Sequence, residues 1–200
     1  MTYERRAVAV GTDFETRAVD GKRYIEGYFA VYGSRYDLWD GAYETIDEGA
    51  FDLERDFDVR ALANHDTTLV LGRTTAGTLT LKADQRGLWG SIEINEADQD
   101  AVNVYERVSR RDVTQCSFGF DILQELREER DDGTTVWHLQ RVKLWEVSVC
   151  TFPAYEDTGV QARKSELETV EKRKSEAWKA SMLKRLKGDN HGTENDPAQA

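Results

Sequence analysis

His65, Ser117 and Glu146 are the residues of this chain whose types and order could support nucleophilic chemistry. A serine hydroxyl is a poor nucleophile until a base takes its proton, and the base needs a third group to fix its tautomer. Imidazole suits the base role because its ordinary pKa is about 6.5. Of the three histidines, His191 falls in a polar tail and His138 falls mid-strand beside a charged turn. His65 follows the apolar run Val59-Arg60-Ala61-Leu62, a place where a loop residue can be rigidly presented. A capping or core histidine is the competing reading of His65.

Ser117 lies in the stretch Cys116-Ser117-Phe118-Gly119-Phe120. Alternate side chains of a strand face opposite ways. Cys116, Phe118, Phe120 and Ile122 therefore make one apolar face, and Ser117, Gly119 and Asp121 make the other. A small hydroxyl beside a glycine leaves room for a substrate backbone. Glu146 sits between Trp145 and Val147 on a run that otherwise reads as core. A carboxylate there must be paired or hydrogen-bonded. A buried histidine would answer that need, and so would an ion pair with Arg141 or Lys143 at a sheet edge.

The elements that must position these groups are mostly strands. Runs at 6–10, 23–32, 59–62, 69–73, 78–82, 88–94, the Ser117 stretch and 135–150 carry the β-branched, aromatic and alternating pattern of strands. Asp84-Gln85-Arg86-Gly87 reads as a hairpin connection, and Glu48-Gly49-Ala50-Phe51 as helix or turn. Asn95 is placed to cap a helix whose apolar stripe is Ala101, Val104, Tyr105 and Val108. On the 135–150 strand, alternation puts Trp145, Val147 and Val149 on one face and Glu146 and Ser148 on the other. About eight strands with short turns and one internal helix suggest an antiparallel barrel or sandwich.

The chain has 39% hydrophobic and 32% charged residues, with a net charge of −11. Residues 161–200 hold nine Lys/Arg and seven Asp/Glu, which leaves 18 basic against 31 acidic residues before them, a net of −13. So acidic a body argues against a phosphate-binding surface. Trp178, Met182 and Leu186 form an i, i+4, i+8 stripe in the charged segment, an amphipathic tail helix, and Gly188 to Ala200 reads as disordered. The expected domains are 1–160 and the charged tail 161–200. Neither a secretory leader nor an apolar run long enough to span a bilayer is present, so the expectation is a soluble protein of a reducing compartment. Cys116 and Cys150 then read as small buried hydrophobes. Two cysteines and three scattered histidines offer no metal-ligand spacing, so no metal or other cofactor is expected.

Taken together and in order, several segments resemble the prohead maturation proteases of tailed bacteriophages, relatives of the herpesvirus assemblin protease. They are Gly27-Tyr28-Phe29-Ala30-Val31-Tyr32, Glu44-Thr45-Ile46 with Gly49-Ala50-Phe51, Asn64-His65-Asp66, Leu71-Gly72-Arg73, Gly87-Leu88, Ser117-Phe118-Gly119-Phe120, and Glu146-Val147-Ser148-Val149 with Pro153-Ala154. The resemblance covers about residues 25–160. It implies a mainly β fold with flanking helices, an antiparallel barrel of the assemblin type. It also implies a serine endopeptidase with His65 as base, Ser117 as nucleophile and Glu146 where assemblins have a second histidine. The implied partners are the major capsid protein, whose scaffolding segment is cut, and the scaffold or the protease itself, inside an assembling prohead in the host cytoplasm. The oligomeric state stays open. Assemblins use an arginine loop after the third member to hold the oxyanion. Cys150 to Thr158 has no arginine here, so backbone N–H groups near Phe118, or water, are the expected donors.

Two other readings compete. One is a non-catalytic scaffold or capsid-assembly protein with this fold. The other is a cysteine hydrolase using Cys116 with His65, against which alternation argues, because Cys116 should face the aromatic core. Asp66 and His138 are next in line as third member should Glu146 prove to be only an ion-pair residue.

Overall fold

A computed structural model describes residues 4–8, 14–152, 167–169 and 172–182. The chain divides into two units, Met1–Glu156 and Asp157–Ala200. The first unit is built from β1 (Glu4–Val8), β2 (Glu15–Val19), β3 (Lys22–Val31), β4 (Tyr36–Trp39), β5 (Ala42–Ile46), β6 (Arg60–Ala63), β7 (Asp66–Arg73), β8 (Leu79–Ala83), β9 (Gly87–Ile94), α1 (Gln99–Ser109), β10 (Gln115–Glu129) and β11 (Thr135–Cys150). The fold is mainly β. Among the described residues there are eleven strands rather than the expected eight, the additions being β2, β4 and β5, short segments without a clear apolar alternation of their own.

The strands form two sheets. One has the order β2-β3-β9-β8, all antiparallel. The other runs β1-β10-β11-β5-β4, with β6 also on β11 and β7 on β6. The expected barrel does not form, since no ladder joins the two sheets among the described residues. They meet through side chains instead. One core joins Ile25, Phe29, Leu88 and Ile92 of the smaller sheet to Phe118, Phe120, Leu144 and Val147 of the larger, with Phe51 edge-on to Phe118 and Phe118 stacked on Phe120. Cys116 Sγ sits 3.2 Å from the Tyr28 carbonyl of the facing sheet. Gly87 is required where the β8–β9 hairpin crosses β3, because a Cβ there would meet the Ala30 carbonyl oxygen at 2.0 Å.

Strand β11 is the axis of the larger sheet. Its whole length pairs antiparallel with β10. Its other flank is divided, with β5 parallel to Thr135–Leu139 and β6 parallel to Glu146–Val149. Between those strands the backbone of β11 needs other partners. Buried Asp56 supplies one, accepting the Leu144 N–H at 2.8 Å, while Arg55 grips Asp56 at 2.8 and 2.9 Å. The same stretch carries a bulge. Gly119 pairs with Glu146 but Phe120 pairs with Leu144, so Trp145 is the extra residue. Strict alternation therefore fails there. Val147 and Val149 enter the core as expected, but Trp145 does not join them, and it lines a cavity with Glu146.

The internal helix starts later than Asn95. Asp98 is its N-cap, with Oδ1 accepting from Asp100 N–H and Ala101 N–H, whereas Asn95 Oδ1 accepts from Ala97 N–H in the preceding turn. Ala101 and Val108 are buried and Val104 and Tyr105 pack beside them. In the second unit, residues 172–182 are helical, with Trp178 and Met182 exposed. Leu186, His191, Pro153, Ala154 and the segment 188–200 lie outside the described residues, as do Ala9 and Val10 of the first expected strand.

Candidate active site

Ala63 and Asp66 pair across a two-residue turn that closes the β6–β7 hairpin. The turn residues Asn64 and His65 have φ of 52° and 58°. Two successive positive φ values are the mark of a type I′ hairpin turn, whose second position favours glycine. A histidine in that place holds backbone strain of about 1–3 kcal/mol. Two contacts hold it there. Asn64 N–H donates to the Val149 carbonyl at 2.9 Å, and Asn64 Oδ1 accepts the Thr151 N–H at 2.9 Å. His65 is thus pinned to the end of β11 and is 7% exposed.

From this turn the imidazole reaches Glu146. His65 Nδ1 lies 2.6 Å from Glu146 Oε1. An ionised carboxylate only accepts, so this contact places the proton on Nδ1 and leaves Nε2 as the basic nitrogen. Nε2 is buried and has no hydrogen-bond partner. The second carboxylate oxygen, Oε2, accepts the Ser148 hydroxyl at 2.6 Å. Ser148 Oγ in turn accepts the backbone N–H of His65 at 3.2 Å. Glu146, Ser148 and His65 therefore form a closed buried network. Arg141 and Lys143, the alternative partners of Glu146, are engaged elsewhere or turned away. Lys143 Nζ lies over the Trp145 ring at 3.9 Å, and Arg141 is exposed against the 49–54 segment.

Ser117 joins the same sheet face. It is the ladder partner of Ser148, and Gly119 is the ladder partner of Glu146. Residues directly opposite in an antiparallel pair have Cβ atoms about 5 Å apart on one side of the sheet. Ser117 is fully buried. Cys116 and Phe118 point the other way into the core, which removes Cys116 from any site containing His65. Phe118 has strand partners on both sides, Arg6 and Val147, so its backbone is engaged by the sheet and is not an open oxyanion donor. Residues 153–158 of the expected oxyanion segment lie outside the described residues.

The two reserve candidates for third member sit apart. Asp66 Oδ1 accepts both the N–H and the hydroxyl of Thr68, at 2.8 and 2.6 Å, and the hydroxyl bond holds its carboxyl below the usual range. His138 contacts Asp47 and Glu128, each at 3.1 Å. Burial works against its charged form, but the bonds to Glu128 and Asp47 prevail and raise its pKa. Ser148 was not singled out by sequence reasoning beyond its face of the strand. Its type and spacing, two residues from Glu146, carried the only signal. Asp121 is also buried and lines the cavity beside Glu146. Among the described residues no group of three His, Cys, Asp or Glu could hold a metal, and no helix is long and apolar enough to cross a membrane.

A serine hydroxyl on the strand beside a carboxylate-bound imidazole is the set of groups that serine hydrolases use, although His65 Nε2 makes no hydrogen bond to Ser117 in this structure. Comparison with known proteins agrees in class. The profile of the caudovirus prohead serine proteases matches residues 12–173, and the chain belongs to that family. The chain is 29% identical over 150 residues to the prohead protease of Enterobacteria phage HK97, covering 73% of this chain. It spans 63% of that relative's length. The bacteriophage T4 capsid assembly protease aligns over 76% of this chain and 98% of its own, with a TM-score of 0.46 and 12% identity.

Proposed function

We propose that this chain is a serine endopeptidase of prohead maturation. Ser117 is the nucleophile, His65 the general base and Glu146 the group that orients and charges the base. The observation that carries the reading is the His65–Glu146 contact of 2.6 Å with Nε2 left unpartnered. In this reading Nε2 takes the Ser117 proton as Oγ attacks the scissile carbonyl. Glu146 stabilises the imidazolium, which then returns the proton to the leaving amine. Family membership supports the substrate class: the scaffolding segment of the major capsid protein, and the scaffold or the protease itself, cut inside the assembling prohead in the host cytoplasm.

The test is Ser117→Ala in a chain co-expressed with the capsid protein, read by intact mass of both products. Wild type should shorten the capsid protein, and should itself lose a C-terminal fragment from a cut near residues 160–165. Ser117→Ala should leave both full length, a loss of about 10⁶ in turnover by analogy with other triad proteases. Ser117 is buried, so labelling by a serine-directed organophosphonate reports opening of the site as well as its chemistry. Near-wild-type processing by purified, folded Ser117→Ala protein refutes the assignment.

A further inference from the structure

A cavity of about 470 Å³ opens beside the candidate triad, sharing Glu146 with it. Leu62, Val70 and Trp145 line it with apolar surface, and its polar lining residues are Arg60, Thr67, Asp121 and Glu146. Glu146 is already committed to His65 and Ser148. Arg60 is committed to Asp58, at 3.2 Å to its carboxylate and 3.1 Å to its carbonyl. Asp121 is not committed. It is 8% exposed, and its Oδ1 is buried with no hydrogen-bond partner. Lys143 is its direct partner in the β10–β11 ladder, yet the Lys143 ammonium lies on the Trp145 ring instead.

A buried carboxylate without a partner is costly, so one that lines a cavity asks for a donor from outside the chain. The donor that best offsets such a carboxylate is a cation, since charge-assisted hydrogen bonds are the stronger ones. The end of a lysine or arginine side chain is such a donor, and its stem packs on Leu62, Val70 and the Trp145 indole. Distance links the pocket to the candidate nucleophile. Asp121 lies on the same face of β10 as Ser117, four residues along, or about 13 Å. A peptide whose scissile bond rests at Ser117 can therefore place a side chain there from a residue within about four positions of that bond.

We propose that this cavity is the specificity pocket for a lysine or arginine of the substrate polypeptide, with Asp121 as its carboxylate partner. The proposal rests on the endopeptidase reading above and adds the chemistry of the residue that is read.

Two measurements on the full chain test it. The first is cleavage of a fluorogenic positional-scanning peptide library spanning four residues on each side of the scissile bond. At one position wild type should favour Lys and Arg over Gln by about 10–100-fold in kcat/KM, and Asp121→Asn should collapse that ratio to about 1–3. The absence of any basic preference overturns the proposal. A preference for Glu at that position also overturns it, because Arg60 would then be the reader. Equal losses for Lys and Gln peptides, with the ratio kept, reduce Asp121 to a structural role. The second measurement needs no catalysis. Titration of Ser117→Ala protein with butylguanidinium should shift the Trp145 indole NMR signal, butanol should not, and adding Asp121→Asn should abolish the response. If wild type cleaves nothing, the endopeptidase reading fails and this titration still decides the pocket, a missing or Asp121-independent response overturning it. The Tm of Asp121→Asn should not fall, since Asp121 makes no hydrogen bond that the change would lose, and a clear fall would mark a structural residue.

Discussion

Replacing Glu146 by glutamine is the sharpest probe of the site, because the surrounding hydrogen bonds dictate which way the amide must turn. Glu146 accepts twice, from His65 Nδ1–H and from the Ser148 hydroxyl, and Ser148 Oγ accepts from His65 N–H. Glutamine offers one acceptor and one donor group. If its carbonyl faces His65, its NH₂ faces Ser148, and the buried Ser148 hydroxyl hydrogen loses its acceptor. If its carbonyl faces Ser148, every bond closes, but its NH₂ donates to Nδ1 and forces the proton onto Nε2. That tautomer cannot act as base toward Ser117. An orphaned buried donor costs about 1–3 kcal/mol, which biases the amide toward the unproductive turn by about 5–150-fold. Losing the charge opposite the imidazolium removes a further ~1.5–3 kcal/mol, or about 10–150-fold. The product centres near 10³, and acid-to-amide changes in the serine–histidine–aspartate proteases reach ~10⁴.

The assay is kcat on a cleaved peptide, with Tm as a check of folding and imidazole ¹⁵N shifts to read the His65 tautomer. Ser148→Ala alone should cost about 10-fold, since it removes both the hydroxyl bonded to Glu146 Oε2 and the acceptor of the His65 N–H. Added to Glu146→Gln, it removes the steering hydroxyl, so the double variant should be at least as active as Glu146→Gln. Losses that multiply in the double variant refute the steering argument. A Glu146→Gln enzyme within about threefold of wild type refutes the role of Glu146 altogether.

Two further outcomes follow from other parts of the fold. His138 has its pKa raised by Glu128 and Asp47 against the effect of burial, so its contribution to stability is complete below its unfolded pKa of about 6.5 and fades as pH rises through the folded value. The bond to His138 lowers the Glu128 pKa, a contribution lost in the opposite direction, as pH falls through its folded value. His138→Gln should therefore narrow the gap between Tm at pH 5.5 and pH 8, and an unchanged gap would show the cluster to be inert. Gly87→Ala must push a methyl into the Ala30 carbonyl oxygen at 2.0 Å, and a loss of about 3 kcal/mol, or roughly 6–12 °C in Tm, is expected. A Tm within 2 °C of wild type would show that the β3–β9 ladder gives way easily.

What could be read without a structure was local. The β class followed from alternation, the β8–β9 hairpin from Asp84-Gln85-Arg86-Gly87, and the buried face of Cys116, Phe118 and Phe120 from spacing alone. Glu146 stood out because a carboxylate amid core residues needs a partner, and the structure supplies one in His65. The tertiary fold decided everything that depends on a neighbour. Trp145 leaves the face that alternation assigned to it because the ladder with β10 skips one residue, and a bulge is a property of two strands together. The expected barrel gave way to two sheets, since closure depends on which edges meet. His65 occupies a left-handed turn position that its own preferences disfavour, held there by Asn64 and the end of β11. Ser148 and Asp121 look like ordinary strand residues in the sequence. Their chemistry arises only when folding pairs one with a buried carboxylate and leaves the other beside a cavity with no partner, because hydrogen-bond satisfaction is set by the atoms that packing brings within 3 Å.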